Sequence, residues 1–517
     1  MAGLSGAWSF RGRRRRAALV AIAGVAVVLV GIACAVGERS RTLTVAFDTA
    51  PGTLDPHHHN EVVTWSLLCN VYDALVQFSP DMTLQPALAV SWRQLDPTHV
   101  RFDLRRGVRF HDGSPFGAAD VVASFERARH DPASRIRHHL LGIRAVTAES
   151  DDVVVVETDH PAPTLLNRLA FLFIVPRGAA TLGEITTPVG TGPYRFAGKG
   201  ADGTIHLEAW DGWHGRPPVE RVEISYVEDA EERMQRFTSG RADIVNSVPD
   251  AETGEVRMHR GCRLEALPRM AVQILAVTPQ AASGDARRAL ADPRVRRAML
   301  LALDRRAMVA TALGGNGTVA SQYVHPVANG YDPALTPLPF DPEQARRLLI
   351  EAGFDAGFDV ELGHGPIFPA IIDAIAGDLG RVGIRVHERA MPFAELIERC
   401  RAGEMPLAYY ARTCTTGDAS DFLNALGHSR DSRRGFGAEN DGGYSDPVVD
   451  ALLEAADKQL DPTVRRRLLQ DAQRRMLADL PILPLTVRWG YWGVSSRVDV
   501  VVRHDGWLRL ADCRWRG

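Results

Sequence analysis

The sequence contains very little lysine, because Lys199 and Lys458 are the only lysines among its 60 basic side chains. The preference for arginine, with abundant alanine, glycine and proline, is typical of a GC-rich genome and says nothing about function. The 63 acidic residues slightly outnumber the basic ones, giving a formal net charge of -3 at pH 7. A chain without excess positive charge has no general attraction to nucleic acid, so we expect no nucleic-acid partner.

The motifs of several enzyme classes are also absent. The sequence has no Gly-x-Ser-x-Gly nucleophile elbow and no His-Glu-x-x-His metal motif. Its glycine-rich stretches GTGPY, at 190–194, and GGNGT, at 314–318, lack the Gly-Lys-Ser/Thr of a phosphate-binding loop. We therefore predict a tight turn at the first stretch and a helix end at the second. We expect a protein that is not an enzyme and holds no resident cofactor.

Cysteine is scarce, with six residues in 517. If Cys34 is processed as described below, an odd number remains, so at least one thiol stays free or pairs between chains. Cys400 with Cys414 is one possible disulfide and Cys262 with Cys414 is another, and the spacing does not decide between them. The other two cysteines of the mature chain are Cys69 and Cys513.

The N-terminal residues are those of an export signal. Four consecutive arginines end at Arg16, and an uncharged apolar run about as long as a bilayer is thick extends from Ala17 to Gly37. The stretch VGIAC, ending at Cys34, resembles a bacterial lipobox, although Gly31 stands where leucine is commoner. Residues 1–34 are thus predicted to be a signal and lipoprotein segment, with lipidation of Cys34. The alternative is an uncleaved anchor, and both place the remaining chain on the extracytoplasmic face of the cell membrane.

Length and patterning indicate an ordinary globular protein of two or three lobes. Hydrophobic residues make up 45% of the chain and charged residues 24%, which excludes a disordered or fibrous class. The first part alternates in the manner of strands, the second is rich in helical periodicity, and the last 40 or so residues return to a strand pattern. Four Asp-Pro pairs each precede a helical run, as expected of an N-cap followed by the first helical residue, beginning at Asp292, Asp341, Asp446 and Asp461.

Three adjacent histidines, at 57–59, lie between the first predicted strand and the first predicted helix. On an extended chain His57 and His59 point the same way and could share an ion. No cysteine or spaced histidine nearby completes a closed zinc site, so no metal site is predicted. A solvated loop and some metal contact both stay open as interpretations.

Eight segments, in order, resemble the family 5 extracellular solute-binding proteins of ABC importers, the group that includes dipeptide, oligopeptide and nickel binders. They include VGTGPYRF and the long stretch FDLRRGVRFHDGSPFGAADVVASFERA, and they cover residues 53–78, 102–128, 189–196, 234–245, 292–309, 341–354, 444–485 and 505–515. The resemblance implies an α/β fold like that of class II periplasmic binding proteins, with two lobes, a hinge, and an extra domain on the first lobe.

The resemblance also implies domain boundaries. Lobe I would comprise residues 38–75, 186–268 and 486–517, the extra domain residues 76–185, and lobe II residues 269–485. The chain would cross between lobes near LPRMAVQIL, at 267–275, and near PILPLTVRWG, at 481–490.

The ligand site implied by the resemblance centres on the stretch LAYYARTCTTGDASDFLNAL. In peptide-binding relatives an aspartate here holds the ammonium group of the peptide. Alignment on DFLN places Thr415 at that position, Asp418 at a second acidic position and Arg412 at a tryptophan. Arg412 would favour a carboxylate or phosphate. Two alternatives stay open: an alignment slip that gives Asp418 the ammonium role, or an ion pair of Arg412 with Asp418 or Asp421.

Other predicted ligand contacts flank the crossings. Trp489 and Tyr491 lie on one side of an alternating strand and Trp492 on the other, so half of this aromatic cluster can form a ligand wall. Val277 stands where relatives usually carry asparagine, which removes a polar anchor. The loop with His57 and His59 would border the cleft.

The sequence thus predicts a membrane-anchored extracytoplasmic solute-binding protein, monomeric, that captures a peptide-like or other small solute by lobe closure and delivers it to an ABC permease with its ATPase subunits. The alternatives are a sensing or scaffold lipoprotein that retains the fold, and a binder of a nickel chelate or a haem-type group.

Overall fold

The computed structural model describes residues 42–180, 183–366 and 369–516. The N-terminal basic and apolar run, including Cys34, lies outside the described residues. Within the described ranges, no helix has the length and apolar character needed to cross a bilayer.

The strands of the described residues are β1 (Thr42–Phe47), β2 (Val76–Phe78), β3 (Leu84–Pro86), β4 (Ala89–Asp96), β5 (His99–Leu104), β6 (Ile143–Ser150), β7 (Val153–Thr158), β8 (Tyr194–Lys199), β9 (Ile205–Ala209), β10 (Arg221–Tyr226), β11 (Ile244–Val245), β12 (Cys262–Val277), β13 (Gly317–Val319), β14 (Phe358–His364), β15 (Ile384–Ala390), β16 (Leu407–Thr413), β17 (Ile482–Ser495), β18 (Val498–Asp499) and β19 (Arg514–Trp515).

The helices are α1 (Val62–Leu68), α2 (Ala118–His130), α3 (Leu165–Leu169), α4 (Ala230–Thr238), α5 (Thr253–Met258), α6 (Gly284–Ala291), α7 (Pro293–Ala302), α8 (Arg305–Ala307), α9 (Pro342–Glu351), α10 (Pro369–Arg381), α11 (Phe393–Arg401), α12 (Ser420–Phe422), α13 (Pro447–Lys458) and α14 (Pro462–Asp479). Short π-helical turns, Met308–Ala312 and Leu423–Gly427, continue α8 and α12.

The four Asp-Pro pairs begin helices as predicted. The carboxylates of Asp292, Asp446 and Asp461 each accept a hydrogen bond at 2.8 Å from the backbone N–H two residues later, and Asp341 accepts one at 2.8 Å from Gln344. In each case the proline occupies the first helical turn, where its missing N–H costs nothing. The local sequence therefore sets where α7, α9, α13 and α14 start.

The predicted turn at GTGPY is imposed by close backbone packing. A Cβ at Gly190 would lie 2.0 Å from the carbonyl oxygen of Val71, so no larger residue is accommodated there. The predicted helix end at 314 is also confirmed, because Gly314 follows the π turn with φ of 56°.

One large sheet connects the two halves of the molecule. Its strand order is β15-β14-β16-β12-β17-β11-β1-β10-β9-β8, with β13 also paired to β17. The two long strands β12 and β17 run antiparallel to each other through the middle of this order. Beyond them, β17 pairs with β11 on one side and β12 pairs with β16 on the other. Both stretches predicted as crossings therefore lie in the two strands that connect the halves.

The strand directions bring two sets of carboxyl ends together. β1 is parallel to its neighbours β10 and β11, and β14 is parallel to β15 and β16. Thr413, the last residue of β16, pairs with Ala271 in the middle of β12. In β11, Ile244 pairs with Val494 and the last residue, Val245, pairs with Gly493. The carboxyl end of β11 therefore points toward the middle of β17. Both parallel triplets thus point their carboxyl ends toward the crossing.

A separate four-stranded antiparallel sheet, in the order β4-β5-β7-β6, packs against α2. It lies within residues 76–185, the segment predicted to form the extra domain. The predicted mixed α/β architecture is confirmed, whereas the domain boundaries stay predictions.

Candidate functional site

In α/β sheets, ligands bind outside the carboxyl ends of parallel strands. Here the carboxyl ends of β1 and β11 meet the crossing strands at a group of charged residues. Asp48 directly follows β1, Asp250 follows β11, Arg269 belongs to β12 and Arg488 to β17. The charges of Asp48, Asp250 and Arg488 all act on the Arg269 guanidinium, which places the four side chains in one electrostatic cluster.

Asp250 fixes the position of Arg488. Its Oδ2 accepts a hydrogen bond from an Nη of Arg488 at 2.5 Å, and its Oδ1 accepts one from Nδ2 of Asn316 at 3.0 Å. The Tyr491 hydroxyl donates to Oδ1 of Asn316 at 2.5 Å. Asp250 therefore has both oxygens occupied, and its charge is balanced by Arg488.

Asp48 is held in a similar way by Asn246. The Asn246 side-chain amide donates to Oδ1 of Asp48 at 2.8 Å, and the backbone N–H of Asp48 donates to Oδ1 of Asn246 at 2.8 Å. This pairing joins the loops that follow β1 and β11 and directs the Asp48 carboxylate toward a neutral amide. Asp48 is therefore ordered without an arginine partner of its own.

Arg269 is the uncommitted cation of the cluster. Its side chain is exposed, and it donates no hydrogen bond to any residue that the structure describes. It lies across Gly490 of β17, where a Cβ would come within 2.9 Å of its Nε. Desolvation by the surrounding protein, together with the positive charge of Arg488, lowers the Arg269 pKa below its ordinary value. The Arg269 guanidinium is thus open to solvent but closely surrounded by protein, as expected of a side chain that lines a cleft.

Sequence reasoning did not identify Arg269. It lies inside LPRMAVQIL, the stretch predicted to cross between the lobes. A charged residue at a crossing was the feature of the sequence that could have indicated a ligand contact. The register of β12 against β17 shifts between Pro268 and Val272, so the Arg269 backbone leaves the regular ladder at this point.

The buried donors that have no partner within the described part of the chain include the hydroxyls of Tyr226 and Tyr409 and the indole N–H of Trp489. Burial raises the pKa of both tyrosines, so both hydroxyls remain protonated donors. Tyr409 feels the charge of Arg488, and Tyr226 stacks on Phe47 at the end of β1 with ring centroids 6.5 Å apart. Buried donors without acceptors are costly unless a ligand or water satisfies them.

The predicted alternation of the aromatic cluster is confirmed, and it divides the residues between two surfaces. Tyr491, only 2% exposed, packs with Trp489 into the apolar cluster that contains Phe237. Trp492 lies on the opposite face and contacts Phe47 edge-on at 6.0 Å. The indole nitrogen of Trp489 is the one polar atom of the first pair without a partner among the described residues.

The loop after β16 separates the three residues predicted there. Thr415 is exposed. Arg412 forms an ion pair with Glu439, with its Nε 3.0 Å from Oε2, and not with the aspartates considered from sequence. Asp418 is buried and receives a hydrogen bond from an Nη of Arg465 at 2.7 Å. Burial by itself raises the Asp418 pKa, but the charge and hydrogen bonds of Arg465 bring it below its ordinary value.

Val277 lies at the end of β12 that is far from the crossing. It lines a separate cavity of about 460 Å³ together with Tyr410, Cys400 and Asp441. The structure thus does not bring Val277 together with Arg269 or Arg488.

The histidine loop is buried rather than solvated. Nε2 of His57 lies 2.9 Å from the carbonyl oxygen of Phe173, and an Nη of Arg127 lies 2.9 Å from its Nδ1. His58 bridges Asp131, at 2.8 Å, and Asp55. Burial lowers the His57 pKa to about 4. His57 therefore has no ring nitrogen left for a ligand in this arrangement.

His59 differs from its neighbours. Both its ring nitrogens are buried without a partner in the described residues, and its ring packs on Trp65 with centroids 4.4 Å apart. Burial lowers its pKa to about 3. No group of three His, Cys, Asp or Glu residues that could hold a metal ion is found in the described ranges.

The cysteines considered for disulfides are all free thiols in the described chain, as are the two others: Cys69, Cys262, Cys400, Cys414 and Cys513. Burial raises the pKa of Cys400 to about 11 and that of Cys69 to about 12. Such thiols are poor nucleophiles.

Comparison with known proteins shows which family this chain resembles. The family model described as bacterial extracellular solute-binding proteins, family 5 Middle, matches residues 83–434. Heme-binding protein A of Haemophilus influenzae is 27% identical over 467 residues, which cover 83% of each chain. Di/tripeptide-binding protein 2 of Pseudomonas aeruginosa is 28% identical over 489 residues, covering 87% of this chain and 90% of that protein.

Among solved structures, HbpA2 from Haemophilus parasuis superposes with a TM-score of 0.82 and 25% sequence identity. The match covers 92% of this chain and 100% of that one. The periplasmic-binding-protein fold predicted from sequence is thereby confirmed.

Proposed function

This chain belongs to the bacterial extracellular solute-binding proteins of family 5, and we propose that it captures a peptide-like or other small solute for an ABC permease and its ATPase subunits. Proteins of this family are extracytoplasmic and bind peptides, glutathione, haem or nickel. Its role is binding by enclosure, without a chemical step.

The observation that carries the proposal is the meeting of both parallel triplets at β12 and β17. The carboxyl ends of β11-β1-β10 and β15-β14-β16 converge there, and Arg269, Tyr226 and Tyr409 offer donors that no described residue occupies. A polar group of a solute placed at this point would satisfy those donors.

Lobe closure would bend the two crossing strands. β12 is irregular against β17 between Pro268 and Val272 and again between Gln273 and Ile274, so few ladder bonds resist bending there. The Asn167 side chain donates to the carbonyl oxygen of Thr416 at 2.8 Å, and the rings of His325 and His504 lie 5.0 Å apart. These contacts join distant parts of the chain and would break if the lobes opened.

The contacts of the histidine loop support a structural role for His57 and His58. A nickel chelate or haem held by His57 or His58 would have to displace Arg127 from His57 or Asp131 from His58. We therefore place the solute at the crossing strands and not at His57 or His58.

Native mass spectrometry and calorimetry on the full chain, purified in detergent from its own host, test the proposal. We expect a one-to-one complex with a small solute that is lost on denaturation, and saturable rebinding of that solute. Absence of saturable binding across peptides, glutathione, haem and nickel chelates would contradict it. Unchanged uptake of the bound solute in cells lacking the protein would instead favour a sensing or scaffold role.

We propose further that Cys34 is lipidated, with the uncleaved apolar segment as the alternative anchor. Incorporation of a labelled fatty acid into the wild-type protein and not into Cys34→Ser would support lipidation. Membrane retention of an unlabelled Cys34→Ser protein of full length would favour the alternative.

A further inference from the structure

We propose that the captured solute carries a carboxylate, that Arg269 binds this group, and that a free ammonium group is not required for capture. The inference rests on the proposed solute-binding function and specifies the chemistry of its ligand.

The first step concerns the state of Arg269. An exposed guanidinium with five N–H donors and no acceptor among the described residues is ready to bind two oxygens side by side. Arg269 extends over Gly490, where the absence of a side chain leaves room for the planar guanidinium. The position is thus built for a planar ligand group at the crossing.

The second step concerns the carboxylates that could hold an ammonium group. Asp250 is paired with Arg488, and Asp418 is paired with Arg465. Asp48 is hydrogen-bonded by Asn246. Each of these acids is therefore already supplied with donors by the protein.

Asp421, which lies near Asp418, is poorly suited to binding a cation. Its Oδ2 accepts the backbone N–H of Thr416 at 2.7 Å. It has no ion-pair partner in the described residues, and burial raises its pKa. An acid that is less readily ionised attracts an ammonium group weakly.

The third step concerns the choice between a carboxylate and a phosphate. A guanidinium can bind either group through two parallel hydrogen bonds. The phosphate esters in the test below decide between them.

Peptides with modified termini provide the test. Trialanine, N-acetyl-trialanine and trialanine amide are titrated by calorimetry into the full chain, with hexoses and phosphate esters as carboxylate-free probes. We expect N-acetyl-trialanine to bind within about threefold of trialanine, and the amide at least about tenfold more weakly, equivalent to about 1.4 kcal/mol.

Variants then assign the effect to one side chain. Arg269→Gln should weaken the binding of trialanine at least about tenfold and leave the weak binding of the amide unchanged. The affinity of Arg269→Lys for trialanine should fall between those of the wild type and Arg269→Gln, because lysine cannot bind bidentately. Arg433→Gln, a change at an exposed arginine of the 431–436 turn, is the matched control and should bind like the wild type. Thermal unfolding confirms that each variant is folded.

Several results would overturn the inference. One is equal binding of the acid and the amide, and another is loss of binding on N-acetylation together with loss in Asp421→Asn, which would identify an ammonium anchor. Binding of phosphate esters or hexoses alone would reject the carboxylate but leave solute capture intact. Absence of binding by every probe and by the solutes tested above would reject both.

Discussion

Arg465 and Asp418 form a buried ion pair between α14 and the loop after β16. An Nη of Arg465 lies 2.7 Å from Oδ1 of Asp418, with the two side chains only 3% and 5% exposed. The Ser420 hydroxyl and the Asn329 amide also donate to Asp418, at 2.7 and 2.9 Å. The contacts of Asp418 are therefore those of a structural residue, and its predicted role in ligand binding stays to be tested.

Asp418→Ala should destabilise the fold by about 3–5 kcal/mol, because it leaves the Arg465 guanidinium buried without its partner. Asp285→Ala is the control, since the Asp285–Arg288 pair is about two-thirds exposed and should change stability by less than about 1 kcal/mol. Urea unfolding monitored by tryptophan fluorescence provides the measurement. A stable Asp418→Ala protein that has lost only solute binding would show that Asp418 serves the ligand.

His59→Phe should reduce the sensitivity of the fold to acid. Burial lowers the His59 pKa to about 3, from the model-compound value of 6.5. Below pH 6.5 His59 therefore becomes protonated in the unfolded chain but stays neutral in the folded protein. The free energy of unfolding thus decreases as the pH is lowered from 6.5 toward 3. Between pH 7 and pH 5 this residue should account for about 2 kcal/mol of lost stability.

Phenylalanine retains the packing on Trp65 and cannot be protonated, so we expect His59→Phe to be at least as stable as the wild type at pH 7. His130→Gln, at a mostly exposed histidine, should leave the pH dependence unchanged. Denaturant titrations at pH 7 and pH 5 make the comparison. An identical pH dependence in wild type and His59→Phe would contradict the assigned environment of His59.

Gly490→Ala tests the position of the Arg269 side chain without changing any charge. The new methyl group would lie 2.9 Å from Nε of Arg269 and displace it. We expect about threefold to tenfold weaker binding of a carboxylate solute, with no effect on a carboxylate-free one. Gly377→Ala, where nothing lies within 4 Å of the added carbon, should leave affinity unchanged. Equal affinity in the wild type and Gly490→Ala would show that Arg269 lies elsewhere when solute is bound.

Arg412 provides a contrasting case, because its guanidinium is already paired with Glu439. Arg412→Gln should therefore change the affinity for a carboxylate solute by less than about threefold. Glu439→Gln should increase the affinity for the same solute, since it removes the acidic partner of Arg412 near the loop after β16. Calorimetry on both variants measures these affinities. A tenfold loss of affinity in Arg412→Gln would support the direct contact between Arg412 and the ligand that the sequence predicts.

The difference between Arg412 and Arg269 shows what the linear sequence could and could not provide. Local patterns placed the Asp-Pro helix starts and the alternation of Trp489 with Trp492, because each depends on neighbours a few positions apart. The crossing strands were placed by the family resemblance. The partner of Arg412 is 27 positions away and that of Asp418 is 47. In a chain with 60 basic residues, only the fold determines which of them are paired with an acid.

Small-angle X-ray scattering of the full chain, with and without a saturating carboxylate solute, is the most direct test of capture by closure at Arg269. We predict a smaller radius of gyration in the presence of solute for the wild type, and a smaller decrease for Arg269→Gln at the same solute concentration. Superimposable curves for the wild-type protein with and without a bound solute would contradict the account.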